Sequence, residues 1–324
     1  MEKRVLGKDL TVSAIGFGCM GLSHAYGVAL EKPVAIRRIR EAVEMGYTFF
    51  DTAEVYVGKY ADGSDAVNEE IVGEALRPIR DQVIIATKGG NYWGENHQIL
   101  PDGRPESIRK SIENSLKRMG LDVIDLYYQH RQDPNIEPEV VADTMKTLMQ
   151  EGKIRYWGIS NASMDYVRRA DAVCKVAAVQ ERYSMMAHWN EEKFPFLEEL
   201  NIGLVAYSPL ANGFLTGSIT GTEQYDKNLD FCSKMPQYTE SGVEKAQALM
   251  EMLQTLAAEK GCTLAQLSLA WMLCKKPWIV PIPGTSKSER IFENAGAANV
   301  FLTADEIQKI DSALANMELD VFGK

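Results

Sequence analysis

Eight short apolar runs punctuate the chain, hydrophobic on consecutive positions with little polar alternation: SAIGFG from residue 13, YTFFD from 47, VIIATK from 83, IDLYYQH from 124, RYWGIS from 155, AAVQ from 177, GLVAYS from 203 and WIVPIPG from 278. Runs of that length, rich in β-branched and aromatic residues, predict strands covered on both faces. Between them apolar positions recur at helical spacing over 34–46, 68–80, 105–120 and 138–152, several of these segments opening on Pro with an acidic residue and closing on Gly. Strand and helix therefore alternate, and eight such strands predict an α/β fold of the (β/α)8 TIM-barrel type, a single domain over 1–324. A doubly wound open sheet is the competitor. Against it, no strand is followed by G-x-G-x-x-G opening a helix, and the early GFGCMGL leads into SHAYG, which has no helical pattern.

Two stretches depart from the alternation. KRVLGKDLTVS predicts an N-terminal β-hairpin turning at Gly-Lys-Asp, placed to plug the barrel bottom. Between VAYSPL and WIVPIPG lies a polar, Gly-rich piece, 211–242, and then helices over 243–260 and 263–275; the last helix is ADEIQKIDSALAN. Loops that long inside compact domains are usually functional. Composition adds exclusions. With 45% hydrophobic, 25% charged and 9% aromatic residues, the chain is ordinary for a soluble globular protein. No apolar run approaches the roughly 20 residues of a membrane span, and no signal-like core follows the charged start, so a cytoplasmic location is expected. Five scattered cysteines without a C-x-x-C pair suggest reduced thiols, and four histidines without ligand spacing suggest no metal. A formal net charge of −10 argues against a nucleic-acid partner and leaves small molecules as the expected ligands. Oligomeric state is left open by these features.

In a barrel of this type chemistry sits at the C-terminal strand ends. The second run ends on Asp51, the third on Lys88 and the fourth on His130, while Tyr56 follows Asp51 by five residues in FFDTAEVYVG. Singly, each has an ordinary reading as a cap, a packed ring or a snorkelling amine. Jointly they do not, because a buried aspartate needs a cationic partner and Lys88 offers one. A lysine beside a tyrosine hydroxyl also favours the phenolate, which predicts a Tyr56 pKa below its usual ~10 and a hydroxyl able to give a proton.

Six segments carry a resemblance that spans the chain: FFDTAEVYVG (49–58), ATKGG (86–90), LDVIDLYYQHRQDP (121–134), GKIRYWGISNAS (152–163), VAYSPLANGFLTG (205–217) and PIPGTSKSERIFENAGA (281–297). In order and spacing they resemble the aldo-keto reductase family, and within it the bacterial and plant-type branch with an H-R-x-D-P turn after strand four. The resemblance implies an NADPH-dependent oxidoreductase that reduces an aldehyde or ketone. In it Tyr56 is the general acid, Lys88 and Asp51 tune it, and His130 orients the substrate carbonyl. It further implies that Ser160, Asn161 and Gln180 hold the nicotinamide carboxamide and that Tyr207 stacks on the ring, with Gly18, Met20, Asp51, Ser208, Leu210 and Asn212 as further cofactor contacts. Gly284, Thr285 and Ser286 lead into a helix starting near Lys287, and helix N-termini attract anions. There the resemblance implies that Lys287 and Arg290 meet the adenosine 2′-phosphate, and that Glu293 and Asn294 reach the adenine. Loop positions Met20, Tyr26, Tyr92 and Trp93 are the expected substrate walls.

The chain also departs from the family pattern. QERYS puts Arg182 where many relatives carry an acidic residue, and TGTEQYDKNLDFCSKMPQY lacks the arginines that relatives often have there, which predicts a weaker cofactor grip on that side. The ending LDVFGK, soon after the last helix, predicts a pocket open at that side. Two other readings keep parts of the pattern: a Schiff-base aldolase using Lys88, and a non-enzymatic nicotinamide-binding redox-sensing subunit.

Overall fold

The structure is a computed structural model and describes residues 1–95, 98–226 and 230–323, Trp93 by its backbone only. The hairpin comes first, β1 (Lys3–Leu6) against β2 (Leu10–Ser13), antiparallel. Gly7 turns it at φ 59°, where an added Cβ would stand 2.9 Å from the Ala177 backbone. The barrel follows in β3 (Phe17–Gly18) and β4 (Phe49–Asp51). Next come a surface hairpin of β5 (Val57–Lys59) and β6 (Asp65–Val67), barrel strand β7 (Ile84–Gly89), and a second arm of β8 (Asn91–Trp93) and β9 (Ile99–Pro101). The remaining barrel strands are β10 (Ile124–Gln129), β11 (Ile154–Ser160), β12 (Ala178–Arg182), β13 (Gly203–Tyr207) and β14 (Ile279–Pro281).

The eight barrel strands pair in parallel in the order β14-β13-β12-β11-β10-β7-β4-β3. The sheet closes where Gly16 and Gly18 donate backbone hydrogen bonds to the carbonyls of Pro281 (2.9 Å) and Pro283 (3.2 Å). Only glycine fits this seam: a Cβ on Gly18 would lie 2.7 Å from the Ile282 carbonyl oxygen, and one on Gly284 2.5 Å from that of Gly18. Inside the ring, Phe49, Ala86, Leu126, Tyr128, Ala178, Val205 and Val280 form one buried cluster, and Leu6, Leu10 and Val12 of the hairpin join it from below. The expected plug is therefore present, and the inner core blocks the bottom of the barrel. Outside the ring, helices such as Pro105–Met119 and Pro138–Gln150, each with its proline at the first position, pack a larger core against the strands. Both β5–β6 and β8–β9 lie in stretches the apolar pattern leaves as loop, because neither presents a buried run.

Candidate functional site

The three strand-end residues and the loop tyrosine meet at the top of β4, β7 and β10, adjacent strands in the sheet. Lys88 Nζ donates to Asp51 Oδ1 (2.5 Å), to the Thr52 carbonyl (2.7 Å) and to Tyr56 Oη (3.2 Å). An ammonium has three protons, and all three are placed. Asp51 is held from the other side by Gln180, whose Nε2 donates to Oδ2 at 2.8 Å across the barrel interior. Asp51 and Lys88 are both buried. Burial alone would pull the Lys88 ammonium down, yet the charge of Asp51 and the Tyr56 oxygen outweigh it and its pKa is raised. Burial likewise pushes Asp51 up, against the pull of Lys88 and Gln180.

Tyr56 corrects a sequence expectation. Lys88 does favour its phenolate, but burial acts more strongly and Asp51 adds to it, so the pKa lies above, not below, its ordinary value near 10. The hydroxyl stays protonated at neutral pH. Because Oη accepts from Lys88, its own proton remains free for another acceptor. His130 meets the Tyr56 ring edge-on at a centroid distance of 6.1 Å, and burial followed by the charges of Lys88 and Arg131 holds its pKa well below 6.5. It is a neutral imidazole whose buried Nδ1 has no hydrogen-bond partner. A residue the sequence reading missed, His24, stacks on the other side of Tyr56 at 6.0 Å, its pKa lowered by burial. The loop position of His24 in GLSHAYG carries no periodic signal that would single it out.

A cleft of ≈ 620 Å³ opens above this group. Its walls include Gly18, Met20, Tyr26, Asp51, Tyr56 and His130 from the early strands, and Ser160, Asn161, Gln180, Tyr207, Ser208, Leu210 and Asn212 from the later ones. The Tyr207 hydroxyl donates to Asn161 Oδ1 (2.8 Å), and Asn161 Nδ2 donates to Ser160 Oγ (2.7 Å), so three of the four expected nicotinamide contacts form one chain of bonds. This wall is backbone-strained: Asn161, Ser208, Ala211 and Asn212 have φ of 53°, 51°, 48° and 61°. Asparagine tolerates that region, while Ser and Ala sit there at a cost of about 1–2 kcal/mol each. Such strain gathers at sites where backbone position matters more than stability.

At the far end Gly284, Thr285, Ser286, Lys287, Arg290 and Asn294 line the same cleft, ahead of and along the helix Ser288–Gly296. Asn294 is buried with Oδ1 unpartnered. Glu293 does not line the cleft; it forms an ion pair with Arg290 and fixes that guanidinium. A third basic residue stands behind Lys287 and Arg290: Arg38, from the helix Lys32–Glu44, donates through Nε to the Ser286 carbonyl at 2.9 Å while its Nη1 pairs with Glu41. Its distance in sequence concealed it.

Two further expectations change. Tyr92 is exposed on its arm and is not part of the cleft wall; Ile99, on the paired strand β9, is. The Trp93 side chain lies outside the described residues. The C-terminal side is not open, because Phe322 lines the cleft there and packs edge-on against Phe231 at 4.9 Å. The Phe322 amide is held there by Gln237, donating to its Oε1 at 2.9 Å.

Comparison with known proteins agrees with this geometry. The family model described as "Aldo/keto reductase family" matches residues 14–315. A probable aldo-keto reductase from Glycine max is 39% identical over 305 residues, covering 94% of this chain and 86% of that protein. Among solved structures, the glycerol dehydrogenase of Gluconobacter oxydans superposes with a TM-score of 0.86 at 28% identity, covering 97% and 95% of the two chains. An aldo/keto reductase from Klebsiella pneumoniae, solved in complex with NADP and acetate, has a TM-score of 0.73 at 25% identity, covering 98% of this chain and 100% of that one.

Proposed function

This chain belongs to the aldo/keto reductase family, and we propose that it reduces the carbonyl of an aldehyde or ketone with Tyr56 as the proton donor. It is an oxidoreductase, and its cofactor is NADPH/NADP+. The residues present fit that cofactor: the cleft is long, Asn294 Oδ1 at one end and His130 Nδ1 at the other are buried and unpartnered, and a helix start with Lys287, Arg290 and Arg38 nearby suits a phosphate. Ser160, Asn161 and Gln180 would hold the carboxamide, Tyr207 the ring face, and Lys287 with Arg290 the 2′-phosphate. Bound NADPH supplies a hydride to the carbonyl carbon.

The rest is the work of this chain's own side chains. The observation that carries the reading is the Lys88–Tyr56 hydrogen bond of 3.2 Å, which occupies a lone pair of Oη and leaves its proton free. As negative charge grows on a carbonyl oxygen at that position, Tyr56 gives up the proton and Lys88 stabilises the phenolate left behind. Asp51 keeps Lys88 charged through the cycle, and Gln180 keeps Asp51 oriented. Neutral His130 supports the same oxygen without competing as an acid. The aldolase alternative fails on Lys88 itself: a charged amine with three occupied donors has no lone pair to attack a carbonyl.

Tyr56→Phe tests the reading. A positioned acid contributes roughly 10² to 10⁴ in rate, so turnover on an aldehyde panel should fall by that order while NADPH affinity and melting temperature hold. Near-normal turnover in this variant would refute the role. Wild-type protein that binds NADPH tightly and turns over none of the panel would favour the redox-sensing subunit.

A further inference from the structure

The cleft is cationic in a chain whose formal net charge is −10. Arg131, Arg182, Lys287 and Arg290 line it against one carboxylate, Asp51, already paired with Lys88. Lys287 and Arg290 stand at the cofactor's phosphate end. Arg131 and Arg182 have no task in the mechanism above.

Arg182 is the stronger observation. The residue is 9% exposed, and its guanidinium lies over the rings of Tyr207 (5.1 Å) and Phe322 (5.4 Å). Among the described residues its one side-chain hydrogen bond runs from Nη1 to Asn212 Oδ1 at 3.3 Å, and it forms no ion pair. A buried cation without a counter-charge among the described residues is costly, and a guanidinium fork with most of its donors unused by them matches a planar or tetrahedral anion. Its position is suited to the reacting end. Gln180 reaches Asp51 across the barrel, and Arg182, two residues further along β12, projects the same way about 6.6 Å higher. β12 and β4 lie four places apart in the ring of eight, so Arg182 and the loop carrying Tyr56 face each other across the mouth. Arg131, adjoining His130, adds a second charge on the rim.

Resting on the reductase reading, we infer that Arg182, with Arg131 elsewhere on the same cleft wall, forms an anion subsite for the substrate, selecting carbonyl compounds that carry a carboxylate or phosphate group. An anion at this point has one other source, the diphosphate of the cofactor, and the test separates the two.

Wild type, Arg182→Met and Arg182→Lys are compared with NADPH on para-carboxybenzaldehyde and on uncharged benzaldehyde, alongside NADPH affinity, melting temperature and calorimetric binding of malonate to cofactor-free protein. The subsite predicts that Arg182→Met loses about 10- to 100-fold in kcat/KM on the carboxylate, the span of a charge-assisted contact. The loss on benzaldehyde should be far smaller, malonate binding should vanish, and Arg182→Lys should recover part of both. A loss that falls on NADPH affinity assigns the guanidinium to the cofactor diphosphate and overturns the proposal. So does an equal loss on both aldehydes with a lowered melting temperature, which makes Arg182 a strut for Phe322. Benzaldehyde turnover without preference for the carboxylate defeats the subsite and leaves the reductase standing; malonate binding through Arg182 without turnover of either aldehyde does the reverse.

Discussion

Lys88 has all three protons on fixed acceptors, so its replacement removes more than a charge. In Lys88→Met, Asp51 is left as a buried carboxylate with only Gln180 to answer it, a change that costs about 4 kcal/mol of stability. Thermal or denaturant unfolding should register that loss, and turnover should fall as in Tyr56→Phe, which should keep its stability. His130 makes a separate, pH-dependent contribution. Its folded pKa lies well below the ordinary 6.5, so on acidification the unfolded chain takes up the proton first. The stability its neutral form supplies is full above pH 6.5 and is lost as pH falls below it toward the folded pKa. His130→Gln, neutral throughout, should therefore melt with a flatter acid limb than wild type when the two are scanned in parallel from neutral pH downward. At the other end of the cleft, Arg290→Ala should weaken NADPH by about 1.5 kcal/mol, near the lower end for a charge-assisted bond because Glu293 already shares the guanidinium. NADH should lose much less in the same titration; an equal loss would remove Arg290 from the 2′-phosphate.

Between strands, the element that bears most on the cleft is the segment after β13, described over 211–226 and 230–240. It is built of short 3-10 turns, Ala211–Thr216, Phe231–Lys234 and Pro236–Tyr238, with no long helix or sheet to stiffen it. Its ties run to the loop after β3: Asn212 Nδ2 donates to Tyr26 Oη at 2.8 Å, and the Phe231 amide donates to the Ala25 carbonyl at 2.9 Å. A few loop-to-loop bonds across a cleft mouth open locally at low free energy. Amide exchange in this segment should slow when NADPH is added to the protein. Protection confined to the barrel strands would show that the segment does not respond to the cofactor.

At the scale of the molecule, the parts legible in the sequence were those in which one requirement governs a whole run. All eight barrel strands coincide with apolar runs because burial on both faces leaves no room for alternation. The four residues at the rim were readable because strand ends have a defined place in such a barrel, and the structure brings them together. The net direction of the Tyr56 shift was not readable, since it depends on burial outweighing a visible neighbour. Phe322 reaches the cleft from the tail and Arg38 reaches the backbone of its wall residue Ser286 from the first long helix, and contacts between such distant segments leave no local trace. Arg182 was visible as an anomaly, while its place over two rings was not.

The glycine seam has a consequence for how the chain becomes a barrel at all. Gly16 and Gly18 find their acceptors only at Pro281 and Pro283, and Arg4 of the plug donates to the carbonyls of Leu273, Lys276 and Ile279. The first strand is thus made long before its second neighbour exists. During synthesis β3 has β4 on one side and an unpaired edge on the other until nearly the whole chain has emerged, and such edges invite association with foreign strands. β3 is two residues long, preceded by Gly16 and ending on Gly18, which offers a poor template to a passing strand. The residues that allow the ring to shut thus also leave little to capture while it stands open.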